Sequence, residues 1–247
     1  SLSGVPYIFE MLIKLGLKNL STSYLKTLTH AGGKLDINST QKIIEFCKEQ
    51  GIKFISMYGQ TEASPRMTYL DWKDYPKKIG SIGKAIPFTE IWLEKDNGVK
   101  IQNPNETGEL IFSGKNVSMG YSNNIKDLIK GDENKGILKT GDLAYFDNEG
   151  YFYIKGRKNR ITKIFGNRLN LDEIEEKMKE INIEVFCKEI NDKLYVFFEK
   201  NFIPEHVLNK ISLITGQNKI AFNCIQLKKL PRTSSGKIDY IKLAINA

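Results

Sequence analysis

Residues 52–62 read Ile52-Lys-Phe-Ile-Ser-Met-Tyr-Gly-Gln-Thr-Glu62, an apolar run that ends abruptly in polar residues and a glycine. The run 52–57 has the length and composition of a buried strand. Ligands of open α/β sheets bind just beyond the carboxyl ends of the strands. There the Thr61 hydroxyl and the Glu62 carboxylate could hold a phosphate and its Mg²⁺, and the Tyr58 ring could stack on a base. An ordinary polar loop without a binding role could have the same sequence.

The residues before this run predict a parallel sheet with covering helices. A strand over 24–28 runs into the turn Ala31-Gly-Gly33. Ser39 or Thr40 can cap the helix that follows, and Gly51 sits just past its end, where a left-handed residue is needed. Strand, helix and strand in succession are typical of α/β folds.

The pattern changes after residue 78. Short β-type runs alternate with turn clusters through 79–156, which predicts a small antiparallel sheet or barrel. Beyond it, a hairpin starts at Arg160, and Asn170 caps a helix that carries Glu173 at its third position. Further strands and a helix complete a compact α+β module. The predicted elements of these two regions are strands at 89–93, 108–112, 151–154, 183–189, 193–199 and 221–227, and a helix at 205–214.

The composition is ordinary for a globular protein and excludes several classes. Of 247 residues, 40% are hydrophobic and 27% are charged, which argues against disordered and low-complexity chains. No apolar run approaches the roughly 18 residues of a membrane span, and the first residues do not resemble a secretory signal. Three widely spaced cysteines predict no disulfide framework, so we expect a cytoplasmic protein.

The net charge of +8 favours an acidic partner, such as a phosphorylated cofactor, an acidic carrier protein or nucleic acid. The lysines are scattered rather than clustered with aromatic residues, which argues against nucleic acid. Two distant histidines, His30 and His206, and the lack of a Cys-x-x-Cys pair argue against zinc. His30 could make a local hydrogen bond or line a substrate pocket.

Three further segments carry residue types suited to nucleotide chemistry. Thr140-Gly-Asp142 offers a carboxylate that can accept hydrogen bonds from ribose hydroxyls. Gly156-Arg157 offers an arginine that can donate to the same sugar or to a phosphate. Pro231-Arg-Thr-Ser-Ser-Gly-Lys237 leaves a lysine on a loop of small residues, and its spacing is not that of a Walker A phosphate loop. Each segment alone could be an ordinary surface feature.

In order and spacing, the four segments resemble the motifs of the adenylate-forming superfamily. This superfamily comprises acyl- and aryl-CoA synthetases, adenylation domains of peptide synthetases, and luciferases. The match covers nearly the whole chain, and four ordered motifs agree by chance far less often than one. The resemblance implies the carboxyl-terminal half of an AMP-dependent carboxylate ligase.

The resemblance also implies a mixed α/β and α+β fold with a domain boundary. Residues 1–158 would be the later part of a large α/β domain. Within it, 1–78 would hold the α/β sheet and 79–158 a small antiparallel, β-barrel-like subdomain. Residues 159–247 would form a compact α+β domain that rotates between two reaction steps about a hinge at Asn159.

Roles for single residues follow from the same resemblance. Lys237 would be the catalytic lysine, bridging the substrate carboxylate and the α-phosphate of ATP. Thr61 and Glu62 would join it in the catalytic set, with Glu62 as the Mg²⁺ ligand, and Lys163 and Gly166 would approach the thiol. The nucleotide-binding set would be Gly32, Gly33, Tyr58, Gly59, Gln60, Thr61, Asp142, Arg157 and strand position 154, which in this sequence is Ile154.

The implied reaction has two steps. A carboxylate attacks the α-phosphate of MgATP to give an acyl-adenylate and pyrophosphate, and a thiol, usually of coenzyme A, then takes the acyl group. Positioning and charge stabilisation dominate such chemistry. Three alternatives stay open: transfer to a carrier protein, a luciferase-like oxidation, and a non-catalytic half-enzyme that binds a nucleotide or a partner.

The sequence departs from the family pattern at three points. It contains no Ser/Thr/Gly-rich phosphate loop, so we expect a piece that starts partway through the large domain and does not catalyse adenylation alone. The hinge is Asn159 rather than Asp or Lys, which argues against a charge-based account of the rotation. Phe165 stands before Gly166 in place of a small or polar residue, and this could alter thiol access.

Overall fold

The computed structural model describes residues 1–164, 166–190, 193–199, 201–233 and 238–245. The chain divides into two compact units, Ser1–Ile154 and Lys155–Ala247. Within the described ranges, no helix combines the length and the apolar character needed to cross a membrane. The predicted domain boundary at 158/159 and the predicted hinge stay predictions.

A five-stranded sheet opens the first unit, and its strand order follows the chain. Its elements are β1 (Leu2–Gly4), α1 (Pro6–Leu15), β2 (Thr27–His30), α2 (Ile37–Glu49), β3 (Lys53–Tyr58), β4 (Thr68–Leu70) and β5 (Lys84–Ala85). β1, β2 and β3 are parallel, and β4 and β5 are antiparallel to their neighbours. The predicted parallel sheet with helices is therefore present.

Two predicted boundaries in this sheet are wrong. The strand expected at 24–28 begins at Thr27, because Tyr24 is 94% exposed and Leu28 pairs with Phe54 inside the sheet. The second correction concerns the cap of α2. Neither Ser39 nor Thr40 caps this helix, because the side chain of Asp36 accepts the Ser39 N–H over 2.9 Å and starts the helix three residues earlier.

The second sheet of this unit is antiparallel and open. It contains β6 (Glu90–Glu94), β7 (Gly108–Ser113), β8 (Ile137–Phe146) and β9 (Phe152–Arg157), in that order. The predicted antiparallel subdomain is present, but the sheet does not close into a barrel. Four strands are too few to meet edge to edge around a filled interior.

Buried side chains connect the two sheets of the first unit. Phe112 of β7 and Leu138 of β8 pack with Ala63 and Met67, which lie just after β3. Phe112, Ala63 and Met67 are fully buried. Close packing of this kind holds the loop after β3 against the antiparallel sheet, and this is where the predicted nucleotide residues lie.

The second unit is a compact α+β module, in agreement with the predicted fold class. Its elements are β10 (Ile161–Ile164), β11 (Asn167–Asn170), α3 (Leu171–Glu180), β12 (Phe186–Ile190), β13 (Lys193–Glu199), α4 (Pro204–Thr215), β14 (Phe222–Leu227) and α5 (Tyr240–Ile245). β10 and β11 form an antiparallel hairpin. β13 pairs antiparallel with β12 and parallel with β14. The strand predicted at 183–189 begins three residues late, after Ile183 and Val185 have entered the core.

Candidate functional site

Three residues of the predicted motifs meet in one hydrogen-bonded cluster. Tyr58, the last residue of β3, donates from its hydroxyl to Asp142 Oδ2 over 2.5 Å. Gln60 Nε2 donates to the same oxygen over 2.9 Å and to the Thr140 carbonyl oxygen over 2.9 Å. The fold thus brings together residues that are more than 80 positions apart in the chain.

The Asp142 carboxylate is buried within β8, with 5% of the residue exposed. The Thr140 hydroxyl accepts the Asp142 N–H over 3.1 Å and donates to the Leu110 carbonyl oxygen over 2.7 Å. Thr140 therefore fixes the strand that carries Asp142. A buried carboxylate needs hydrogen-bond donors, and the phenol and the amide supply two of them. The arrangement fits an acceptor for hydroxyl groups of a ligand.

Gly59 is required by the shape of the loop after β3. A Cβ atom at this position would lie 2.4 Å from the carbonyl oxygen of Pro65, a distance at which the backbone must shift. The loop folds back this tightly because Ser64 has a left-handed backbone, with φ at 51°. Gly59 therefore affects the site indirectly, because it lets the loop that carries Gln60 fold back closely on Pro65.

Glu62 is held by a segment that the sequence analysis did not assign to the site. The Tyr121 hydroxyl donates to Glu62 Oε1, and the Ser118 N–H donates to the Glu62 carbonyl oxygen over 2.7 Å. Asn116 fixes the same loop by donating from Nδ2 to the Ala63 carbonyl oxygen over 2.6 Å. Tyr121 lies 59 residues after Glu62, and no sequence signal pairs the two.

The described ranges contain no group of three or more His, Cys, Asp or Glu side chains that could hold a metal ion by themselves. Magnesium at nucleotide sites is usually bound through one or two carboxylates together with phosphate oxygens. The single carboxylate of Glu62 fits that arrangement. It does not fit a metal cage built from protein ligands alone.

The glycine turn after β2 is shaped for close backbone approach. Gly32 has φ at +82°, and a Cβ on Gly33 would come within 3.1 Å of the Pro6 side chain. The Ala31 N–H donates to the Gly4 carbonyl oxygen over 3.1 Å, which ties the turn to the start of β1. The structure places both predicted glycines at the carboxyl end of the parallel strands.

His30, which precedes this turn, belongs to the hydrophobic core. Its ring meets the Phe9 ring edge-on at 5.6 Å between centroids, and only 6% of the residue is exposed. Its Nε2 has no hydrogen-bond partner among the described residues. Burial lowers the pKa of His30 from 6.5 to about 4, so the ring is neutral near pH 7.

The remaining predicted residues are distributed over both units. Ile154 packs on the hydrophobic cluster around Leu93 and offers no polar side chain. In the second unit, the Arg157 N–H donates to Asp172 Oδ2 over 2.8 Å. Asn159 lies in a single 3₁₀ turn. Lys163 is an exposed residue of β10, Gly166 has φ at +83°, and Lys237 lies outside the described residues.

Comparison with known proteins agrees with this geometry. The family model of AMP-binding enzymes matches residues 1–122. The 2-succinylbenzoate–CoA ligase of Listeria monocytogenes is 28% identical over 256 residues, which cover 98% of this chain and 50% of the ligase. This chain belongs to the adenylate-forming superfamily. The predicted family and the predicted fold class are thereby confirmed.

Solved structures of an adenylate-forming enzyme from Bacillus subtilis extend the comparison. The O-succinylbenzoate CoA synthetase of this organism, in complex with the acyl-adenylate intermediate, has a TM-score of 0.75 at 25% identity. The match covers 98% of this chain and 50% of the synthetase. A complex of the same synthetase with ATP and a magnesium ion has a TM-score of 0.72 at 25% identity, with coverages of 96% and 49%. This chain spans about half the length of the adenylate-forming relatives it matches.

Proposed function

We propose that this chain is the nucleotide-binding half of an ATP-dependent acid–thiol ligase that releases AMP. Such a ligase joins a carboxylic acid to ATP as an acyl-adenylate and then transfers the acyl group to a thiol, here that of coenzyme A. The cluster of Tyr58, Gln60 and Asp142 carries the proposal, because two motif residues converge on the buried carboxylate of a third. The similarity to CoA ligases supports a thiol acceptor.

The nucleotide would be held by several of the predicted residues. Asp142 would accept hydrogen bonds from the ribose hydroxyls, with Tyr58 and Gln60 holding its carboxylate in place. Gly32 and Gly33 would let the backbone approach the adenine. Arg157 would donate to the sugar or to a phosphate.

The catalytic groups would act mainly through position and charge. Glu62 would hold Mg²⁺, which neutralises phosphate charge when it is bound. Tyr121 and Ser118 fix the side chain and the backbone of Glu62, so little reorganisation is needed when the cation arrives. Lys237 would donate to the substrate carboxylate and the α-phosphate, where negative charge accumulates.

In the second step, a different face of the predicted domain 159–247 would approach the substrate. Rotation about Asn159 would withdraw Lys237 and bring Lys163 and Gly166 toward the thiol. Gly166 has a left-handed backbone, which is the conformation that a tight β10–β11 turn requires. An asparagine tolerates unusual backbone angles, so the hinge needs no charged residue.

We also propose that these 247 residues do not form the adenylate by themselves. They contain no Ser/Thr/Gly-rich loop to grip the triphosphate, so adenylation would need a polypeptide that carries one, covalently joined or separate. Carboxylate-dependent exchange of labelled pyrophosphate into ATP tests this directly. The 247-residue chain alone should show no exchange with any acid, and measurable exchange by it would refute this part of the proposal.

A carrier protein is the second candidate acceptor, and the net charge of +8 favours it. An acidic carrier would be steered electrostatically, and its capture rate would fall steeply as salt is added. Transfer from a purified acyl-adenylate to coenzyme A and to a phosphopantetheinylated carrier should therefore be compared at low and high salt. Faster, salt-sensitive transfer to the carrier would identify it as the acceptor.

A further inference from the structure

A buried polar cluster in the second unit joins residues that are far apart in the chain. Arg160 Nε donates to Asp172 Oδ1 over 2.7 Å, and its Nη2 donates to Glu175. Arg160 Nη1 donates to the Cys187 carbonyl oxygen over 2.6 Å. The side chains of Arg160 and Glu175 are each only 14% exposed. The guanidinium therefore connects the turn before β10 to α3 and β12.

Tyr240 is the fifth member of this cluster. Its hydroxyl donates to Glu175 Oε2 over 3.0 Å, and its ring faces the Arg160 guanidinium at 4.3 Å. Its carbonyl oxygen accepts a hydrogen bond from Lys188 Nζ over 2.7 Å. Tyr240 begins α5 and comes three residues after Lys237. Its side chain and its backbone are thus both fixed to the body of the unit.

The other side of the lysine-bearing segment is also fixed. Leu230 is buried, and its N–H donates to Glu199 Oε1 over 3.0 Å. The Asp239 N–H donates to the Pro231 carbonyl oxygen over 2.9 Å, and Arg232 pairs with Ile238 in an antiparallel bridge. These contacts close a stem at the base of the segment that contains Lys237.

The chemistry of the cluster suits orientation better than stability. A buried ion pair adds little net stability, because the cost of desolvation offsets the attraction. Burial raises the pKa of Glu175 to about 7, and the neighbouring Arg160 acts in the opposite direction. Apolar side chains could pack these elements at a lower desolvation cost, whereas the planar guanidinium of arginine fixes the directions of its hydrogen bonds.

We propose that Arg160, Glu175 and Tyr240 are positioning residues, which fix the stem of the Lys237 segment and so set the direction of the lysine's approach to the reacting carboxylate. The proposal rests on the function proposed above. Arg160 also follows the predicted hinge residue Asn159, so the cluster makes the hinge turn and the stem parts of one block.

The variant Tyr240→Phe tests this in a polypeptide that is active in pyrophosphate exchange. It removes the hydroxyl while keeping the ring on Arg160. We expect kcat for exchange to fall about tenfold with the KM values for ATP and acid unchanged, because the lysine acts on transition-state charge. Thiolysis of purified acyl-adenylate should keep its rate. The matched control is Tyr195→Phe, which removes a hydroxyl that makes no hydrogen bond among the described residues and should change neither step.

A second variant and a second measurement keep the proposal falsifiable. Arg160→Met combined with Glu175→Gln removes both charges together and should show the same selective loss of exchange. In the 247-residue chain, Tyr240→Phe should speed hydrogen exchange of the Asp239 amide at least tenfold and leave that of Val196 unchanged. Equal losses in pyrophosphate exchange and in thiolysis would overturn the proposal. So would an unchanged kcat for pyrophosphate exchange, or an unchanged hydrogen-exchange rate of the Asp239 amide. If the wild type forms no adenylate, the proposed function fails, and Asp239 exchange alone decides the positioning role.

Discussion

Asp142 is the residue on which the proposed nucleotide site depends most. Its carboxylate is buried, and two donors that hold it, Tyr58 and Gln60, reach the same oxygen. A hydrogen bond to a charged group contributes about 1.5–3 kcal/mol, roughly twice the contribution of a neutral one. A ribose hydroxyl bound here would therefore contribute a large share of nucleotide affinity.

The variant Asp142→Asn should weaken AMP binding by about tenfold to a hundredfold, because a neutral amide replaces the charged acceptor. Isothermal calorimetry on the 247-residue chain measures the change in Kd. Glu45→Gln is the control, because it removes an exposed carboxylate of α2 that should not affect binding. An unchanged Kd in Asp142→Asn would remove this carboxylate from the ribose site.

His30 should make the first unit sensitive to mild acid. Its pKa is about 4 in the folded chain against 6.5 when exposed, so folding favours the neutral ring. The stabilisation is complete above pH 6.5 and is lost as the pH falls toward 4. It amounts to about 3 kcal/mol. Urea unfolding at pH 7 and pH 4 should therefore show a smaller loss of stability in His30→Phe than in the wild type.

The exposed His206 of α4 provides the control for this measurement. Measuring His206→Gln alongside shows how the removal of an exposed histidine changes stability at each pH. The same dependence in His30→Phe and the wild type would contradict the assignment of His30 to the core. Comparing slopes rather than absolute stabilities makes the test independent of how well the new ring packs.

The motif residues were predictable and their partners were not. The resemblance to the adenylate-forming superfamily predicted that Tyr58, Gln60 and Asp142 serve one site, because their motifs follow the family's order. It did not reveal Tyr121 beside Glu62, since that contact spans 59 residues and depends on how two loops pack. Residue type alone cannot specify a side-chain contact of this range.

At the scale of single elements, the N-caps of the helices show where the sequence predicted the structure correctly and where it did not. Asn170 caps α3 as predicted, because its side chain accepts the N–H groups of Asp172 and Glu173. At α2, four potential caps stand within five residues, and Asp36 is used although Ser39 and Thr40 were predicted. Thr40 is buried and bonds to the Asp36 carbonyl oxygen instead. Several residues could cap this helix equally well on local grounds. Burial by the rest of the fold decided which of them does so.

The variant Asn170→Ala should lower the free energy of unfolding of the second unit by about 1 kcal/mol, because it leaves N–H groups of α3 without their acceptor. Urea denaturation monitored in that unit measures the loss. Asn209→Ala, at an exposed position of α4, should be neutral or slightly stabilising, since alanine is the better helix former. Equal losses in the two variants would argue against a capping role.

For the whole molecule, the alternation of patterns along the chain predicted the fold class. The α/β part, the antiparallel sheet and the final α+β module all appear in the predicted order. Sequence patterns could not show whether the middle sheet closes, because closure depends on strand number and stagger rather than on composition. Sheet order and buried contacts between distant strands had to come from the structure.

The central claim is that Lys237 serves carboxylate-dependent adenylation, and one measurement tests it most directly. Pyrophosphate exchange into ATP should be compared between Lys237→Ala and the wild type, in a polypeptide that also carries the phosphate loop. We predict a loss of about a hundredfold or more, since removing one preorganised donor to a transition state costs that much, with circular dichroism and Tm unchanged. Exchange at the wild-type rate in the variant, or none in the wild type with any carboxylic acid, would contradict the account.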